Sequence, residues 1–118
     1  MNADDARLLF RKLRDEKVDV LCSGRLFGVS FLIRGKVCKV DAEQVHIESV
    51  SGYAAIVISL VADNLMFGYS EVRSYPELAK TLPEEAQTAM ALLIGFPDRG
   101  LMPFPERVIV VEVFPVPS

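Results

Sequence analysis

One histidine and two cysteines are all that this 118-residue chain offers toward metal or thiol chemistry. His46 has no second histidine with which to share a metal, and Cys22 and Cys38 have no further pair to complete a zinc site. A Cys–His dyad would need one of the two thiols beside His46 and accessible. His46 alternates with Val45 and Ile47, so it is expected on the solvated side of a strand, with Glu48 following on the same face. The two thiols are expected as small buried hydrophobes, not as a disulfide. No bound metal and no cofactor are expected.

Other signals are missing too. The most apolar stretch, Ala54 to Ala62, includes Ser59 and is about half of a ~20-residue bilayer span. The opening Met1-Asn2-Ala3-Asp4-Asp5-Ala6-Arg7 is polar and acidic where a signal peptide is basic and then apolar. The expectation is a soluble cytoplasmic protein with no membrane contact. Gly24 and Gly28 lack the third glycine and the Lys-Ser/Thr of a phosphate loop, and no serine sits in a nucleophile-elbow context. Asp4-Asp5, Asp15-Glu16 and Glu84-Glu85 read as helix-end and surface carboxylates. No catalytic residue is assigned, and an enzyme is not expected. With 13 basic against 16 acidic side chains and a net charge of −3, the basic excess of a general nucleic-acid coat is absent.

What the chain does have is hydrophobicity. Apolar residues make up 51%, slightly above the usual 45–50%, which excludes a disordered chain and fits one domain over residues 1–118. Residues 3–16 read as a helix capped by Asn2 or Asp4, with Ala6, Leu9, Phe10 and Leu13 on its docking face. From Val18 the period changes to two: Val18–Cys22, Val29–Ile33, Val37–Val40 and Val45–Glu48 read as strands, with a bend or bulge at Arg34-Gly35-Lys36. Ala54–Val61 is apolar on both faces and is either a central strand or part of an interface; Leu65–Val72 is a further strand. Ser74-Tyr75-Pro76-Glu77 and Thr81-Leu82-Pro83-Glu84 read as capping boxes. The second is expected to start a helix to about Ile94, with Leu82, Ala86, Ala89, Met90 and Leu93 on one face and Gly95 as its C-cap. A proline-rich connection, Pro97 to Pro105, leads to a last strand, Arg107–Phe114.

A leading helix feeding a meander of short bent strands over Val18–Val72 resembles the Sm-like small barrel. Within it, Gly35-Lys36-Val37-Cys38-Lys39-Val40-Asp41 and Glu43-Gln44-Val45-His46-Ile47-Glu48 look like the long bent strand and its partner. The resemblance implies a mainly β (α+β) fold, an Sm-like small bent-strand barrel. To it are added the N-terminal helix, a C-terminal helical segment and the final strand. No binding residue is taken from the family. Residues 1–40 carry +4 and residues 41–118 carry −7, a polarity that head-to-tail subunit contacts would complement, and ring closure is what Sm-like proteins achieve.

Two function classes follow. The first is a non-catalytic binding or assembly module working as a homo-oligomer. Its candidate interface residues are Ile56, Ile58, Leu92, Ile94, Val108 and Val110, drawn from apolar segments that exceed what one small core covers. The last strand, apolar on both faces and reached through a stiff tether, is expected to pair with a neighbouring subunit. The second is an RNA-binding Sm-like protein. Arg7, Arg11 and Arg14 would meet phosphates, and Phe10 beside them would stack on a base.

Overall fold

The computed structural model of the protein describes residues 1–26, 29–52, 55–61, 65–95 and 107–112. Helix α1 (Ala3–Asp15) starts where its chemistry says it should. The Asn2 side chain accepts from the Asp5 N–H at 2.9 Å, and Asp5 accepts from the Asn2 N–H, so two orphan donors are satisfied together. Its other end closes by the 6→1 and 5→2 bonds of a Schellman turn, Val18 N–H to Leu13 O (3.1 Å) and Lys17 N–H to Arg14 O (3.2 Å). That turn requires a left-handed residue, and Lys17 supplies it at φ 55° where glycine would sit without strain.

Seven antiparallel strands follow: β1 (Asp19–Leu26), β2 (Val29–Val40), β3 (Gln44–Ser49), β4 (Ala55–Ser59), β5 (Met66–Glu71), β6 (Met90–Gly95) and β7 (Arg107–Glu112). They form one sheet in the order β4-β3-β2-β1-β7-β6-β5. Strand β2 is long because it serves two neighbours, β1 along Val29–Lys36 and β3 along Gly35–Val40. Gly35 sits at that overlap. A Cβ there would stand 2.1 Å from the Glu48 carbonyl oxygen, so only glycine permits β3 to approach so closely. The bulge itself falls slightly later, where the register shifts between Val37 and Lys39.

The sheet has an inner and an outer face, each with its own core. On the inner face Ala6, Phe10 and Leu13 of α1 meet Val20, Cys22, Val37, Val40, Val45, Ile47, Ile58, Leu60, Leu92, Ile94, Val108 and Val110. Both outermost strands reach this cluster, β4 through Ile58 and β5 through the partly buried Phe67, so the sheet curls around the helix. It does not close: β1 bonds to β7, not to β5, and β4 and β5 are its two ends. On the outer face Ile109, Val111 and Ala91 are covered by Val72 and Leu78 of the connection between β5 and β6. Among the described residues no helix is long and apolar enough to cross a membrane.

Two expectations are corrected here and a third is narrowed. The helix expected from Leu82 to Ile94 does not form. Helix α2 (Pro76–Ala79) makes a single turn, a 3-10 turn spans Glu84–Ala86, and the remainder is β6. The Thr81 hydroxyl donates to Leu78 O at 2.8 Å, so it ends the preceding turn and does not cap a new helix. Met90–Ile94 is apolar at every position; a surface helix would bury one face of it, whereas a strand between β5 and β7 buries both. Gly95 accordingly closes a strand. The last strand pairs inside its own chain, with β1 on one side and β6 on the other. Finally, of the two alternatives for Ala54–Val61 the central-strand one is ruled out, since Ala55–Ser59 is an end strand. The Pro97–Pro105 connection, Gly28 and the end of the expected last strand, Val113 and Phe114, lie outside the described residues.

Two stability changes follow from α1. Phe10 is fully buried at the centre of the inner core, and Phe10→Ala should cost about 3–5 kcal/mol, read from chemical denaturation. Lys17→Gly removes the left-handed strain and should raise stability by about 1 kcal/mol in the same assay.

Candidate functional site

The helix places its three arginines differently. Arg7 is only 17% exposed, and its guanidinium is spent on the Asp4 carboxylate (2.6 Å) and the Ala42 carbonyl (2.7 Å), which ties α1 to the β2–β3 turn. Arg14 reaches Asp15 at 3.0 Å and remains half-buried. Arg11 is exposed. Phe10 points from the same helix into the core and presents no ring to a ligand. The four residues expected to form one nucleic-acid surface are therefore not brought together: a tether, a locally paired arginine, an exposed arginine and a core ring.

The six candidate interface residues are also mostly internal. Ile58, Leu92, Ile94, Val108 and Val110 are buried in the chain's own inner core, and Ile56 alone keeps part of its surface. Part of the apolar excess that suggested an exposed surface is taken up because the sheet buries its centre on both faces, while Leu8, Val29, Leu32, Val50, Val57, Val61 and Met66 stay exposed.

On the outer face, Asp19, Lys36, Cys38, Glu48, Ser49 and Val50 line an open depression of about 420 Å³. Its charges answer one another: Asp19 takes Arg34 at 3.2 Å and Lys36 at 3.6 Å. Cys38 is exposed, and its thiol donates to the backbone carbonyl of His46 (3.3 Å), not to the imidazole. Cys22 is the buried thiol, and burial pushes its pKa up to about 12, which keeps it protonated. Val45 and Ile47 are buried; His46 is half-buried and Glu48 exposed, as the alternation of β3 requires. Among the described residues no group of three or more His, Cys, Asp or Glu side chains gathers as metal ligands would.

The feature that sequence reading missed is the pair of open sheet ends. Leu60 N–H bonds to Glu43 O (2.8 Å), which makes that pair a hydrogen-bonded one in the β3–β4 register. Alternation then makes Ile58–Val45 and Ile56–Ile47 hydrogen-bonded pairs as well. Ala55, Val57 and Ser59 direct both backbone groups away from β3, toward the open side, and their side chains are exposed. At the other end Val72 N–H bonds to Ala89 O (2.8 Å), so the open positions of β5 are Phe67, Tyr69 and Glu71. Strand β5 is guarded by charge: Glu71 sits at its end, held by Arg73 at 2.8 Å. Burial first, and then the Glu112 carboxylate, raise the Tyr69 pKa. Strand β4, Ala55-Ile56-Val57-Ile58-Ser59, carries no charge and no proline, the devices that usually blunt an edge. The unbroken uncharged run from Ala54 to Ala62 was the available signal.

Comparison with family models, curated proteins and solved structures finds no match to this chain.

One local element that holds the β2–β3 hairpin is open to a pH test. The Asp41 carboxylate accepts the backbone N–H groups of Glu43 (2.9 Å) and Gln44 (2.7 Å), and these bonds hold its pKa below the ordinary carboxylate range. A depressed pKa contributes stability above the unfolded value of about 3.9, lost as pH falls through the lower folded value. Asp41→Ala should therefore lower the melting temperature at neutral pH, and its deficit should shrink on acidification below about pH 4. A deficit that stays constant through that range would show that the carboxylate charge plays no part.

Proposed function

We propose that this chain is a non-catalytic assembly or binding module that works as a homo-oligomer, and that β4 is its contact. One observation carries this reading: an uncharged edge strand whose outward backbone groups are unpaired among the described residues. Exposed apolar side chains lie on and beside that strand, Val57 on it and Val50 and Val61 close by in sequence. Such an edge is a template for another strand, and main-chain hydrogen bonds supply affinity without a deep pocket. The fold reading that accompanies it is an Sm-like one, supported by the leading helix, the long bent β2 and the curled sheet. Strands β6 and β7, inserted beside β1, set it apart from a minimal barrel. Two free thiols support a reducing compartment such as the cytoplasm.

A nucleic-acid ligand has less to hold it. Arg7 is committed to structure and Phe10 to the core, which leaves Arg11 and part of Arg14. Light scattering over a range of concentrations should give a mass at least twice the 13.1 kDa of one chain. A mass that stays monomeric throughout would overturn the assembly reading. Nucleic acid that co-purifies and is released by salt would turn the assignment toward RNA.

A further inference from the structure

We infer that the partner at β4 is the β4 of a second, identical chain, joined antiparallel about a two-fold axis with Val57 facing Val57. The inference rests on the assembly reading above and specifies its symmetry. An isologous joint requires a surface that is complementary to itself. The three open positions of β4 meet that requirement because they are evenly spaced about the middle one. Setting Val57 opposite its own copy places Ala55 opposite Ser59, and Ser59 opposite Ala55. Every pair so formed is a hydrogen-bonded pair made of residues whose N–H and C=O both point outward. One register therefore satisfies all the open backbone groups of both strands.

The side chains agree with that register. Residues directly opposite share a face, so Ala55, Val57 and Ser59 continue the outer face into the outer face of the partner. Between them Ile56 and Ile58 fall opposite one another as close pairs, with Cα atoms about 4.5 Å apart. Both point inward, and Ile56, half-buried in the single chain, gains a cover. No charged side chain of either β4 meets a like charge, since the strand has none.

The same bookkeeping of faces disfavours a head-to-tail joint between β4 and β5. The open positions of β4 carry outward side chains, whereas those of β5, Phe67, Tyr69 and Glu71, lie on the face that holds the inner core. An antiparallel β4–β5 joint would thus run the solvated face of one sheet into the core face of the next. A parallel joint keeps the faces aligned, but with slanted bonds that are less stable per residue. It would also bring Glu71 and its Arg73 partner to the seam.

The test combines mass with residue-resolved amide exchange on the full chain at low and high concentration. The expected result is a dimeric mass. Exchange at Ala55, Val57 and Ser59 should slow as concentration rises, while Phe67, Tyr69 and Glu71 stay fast. Val57→Lys places two ammonium groups face to face at the axis and should weaken association by about tenfold or more. Val57→Thr, of similar shape and strand preference, should retain it. Val57 is 48% exposed, so neither change disturbs the core. Slowing at Phe67, Tyr69 and Glu71 together with β4 would overturn the two-fold joint in favour of a head-to-tail one, with assembly itself intact. An oligomeric mass with all six amides fast would overturn β4 as the contact, and a monomeric mass would overturn both readings.

Discussion

A strand with no polar face has to be covered on both sides, and β7 imposes that requirement on the rest of the molecule. Val108, Ile109, Val110 and Val111 are all buried, two toward each face. The inner pair is met by β1, β6 and the helix-centred core. The outer pair is met by the turns between β5 and β6, which lay Val72 and Leu78 on the sheet and are braced internally by Gln87 donating to Ala79, Leu82 and Pro83 carbonyls. Each burial of roughly one aliphatic side chain is worth about 1.5–3 kcal/mol, so these few residues decide where the connection lies.

The sequence was most readable where one period held over a whole element. The 3.6-residue spacing of Ala6, Phe10 and Leu13 gave α1 its buried face, and the alternation of Val45 and Ile47 gave β3 its own. The two-sided burial of β7 was readable from its composition, but not the identity of what covers it. Reading failed where the period was absent. Met90-Ala91-Leu92-Leu93-Ile94 suits a buried strand and a buried helix equally well, and only the presence of β5 and β7 on its flanks decides between them. The burial of most of the candidate interface residues was unreadable for a related reason. Apolar content says how much must be buried, not whether the same chain buries it, and Ile58, Leu92, Ile94, Val108 and Val110 are covered internally. Phe10 and Arg7 show the remaining limit: adjacency on a helical projection does not tell a core ring or a structural tether from a ligand-facing group.

The ion pairs of the basic first half are internal to it and leave its net charge of +4 unchanged. Basic residues of β2 and acidic Asp19 of β1 neutralise one another across adjacent strands, and Arg7 is neutralised within its helix. Exposed pairs of this kind add little stability, a median of about 0–1 kcal/mol each. Their effect is instead to leave the outer face of β1–β3 mixed in sign, beside an end strand with no charge at all. The unguarded edge is thus distinguished from its surroundings by chemistry as well as by position.

The placement of β7 also governs the order in which the sheet can be completed. It follows every other strand in the sequence yet lies in the middle of the sheet, between the first strand and the sixth. Strands β1 to β4 are linked by local pairings, as are β5 and β6 through their folded connection. These two blocks share the inner core but are joined in the sheet by β7, whose pairing with β1 closes a loop spanning nearly the whole chain. Until that closure, both blocks present an additional raw edge of apolar strand. The topology therefore concentrates the slow, non-local step and the greatest exposure to mispairing in a single late event.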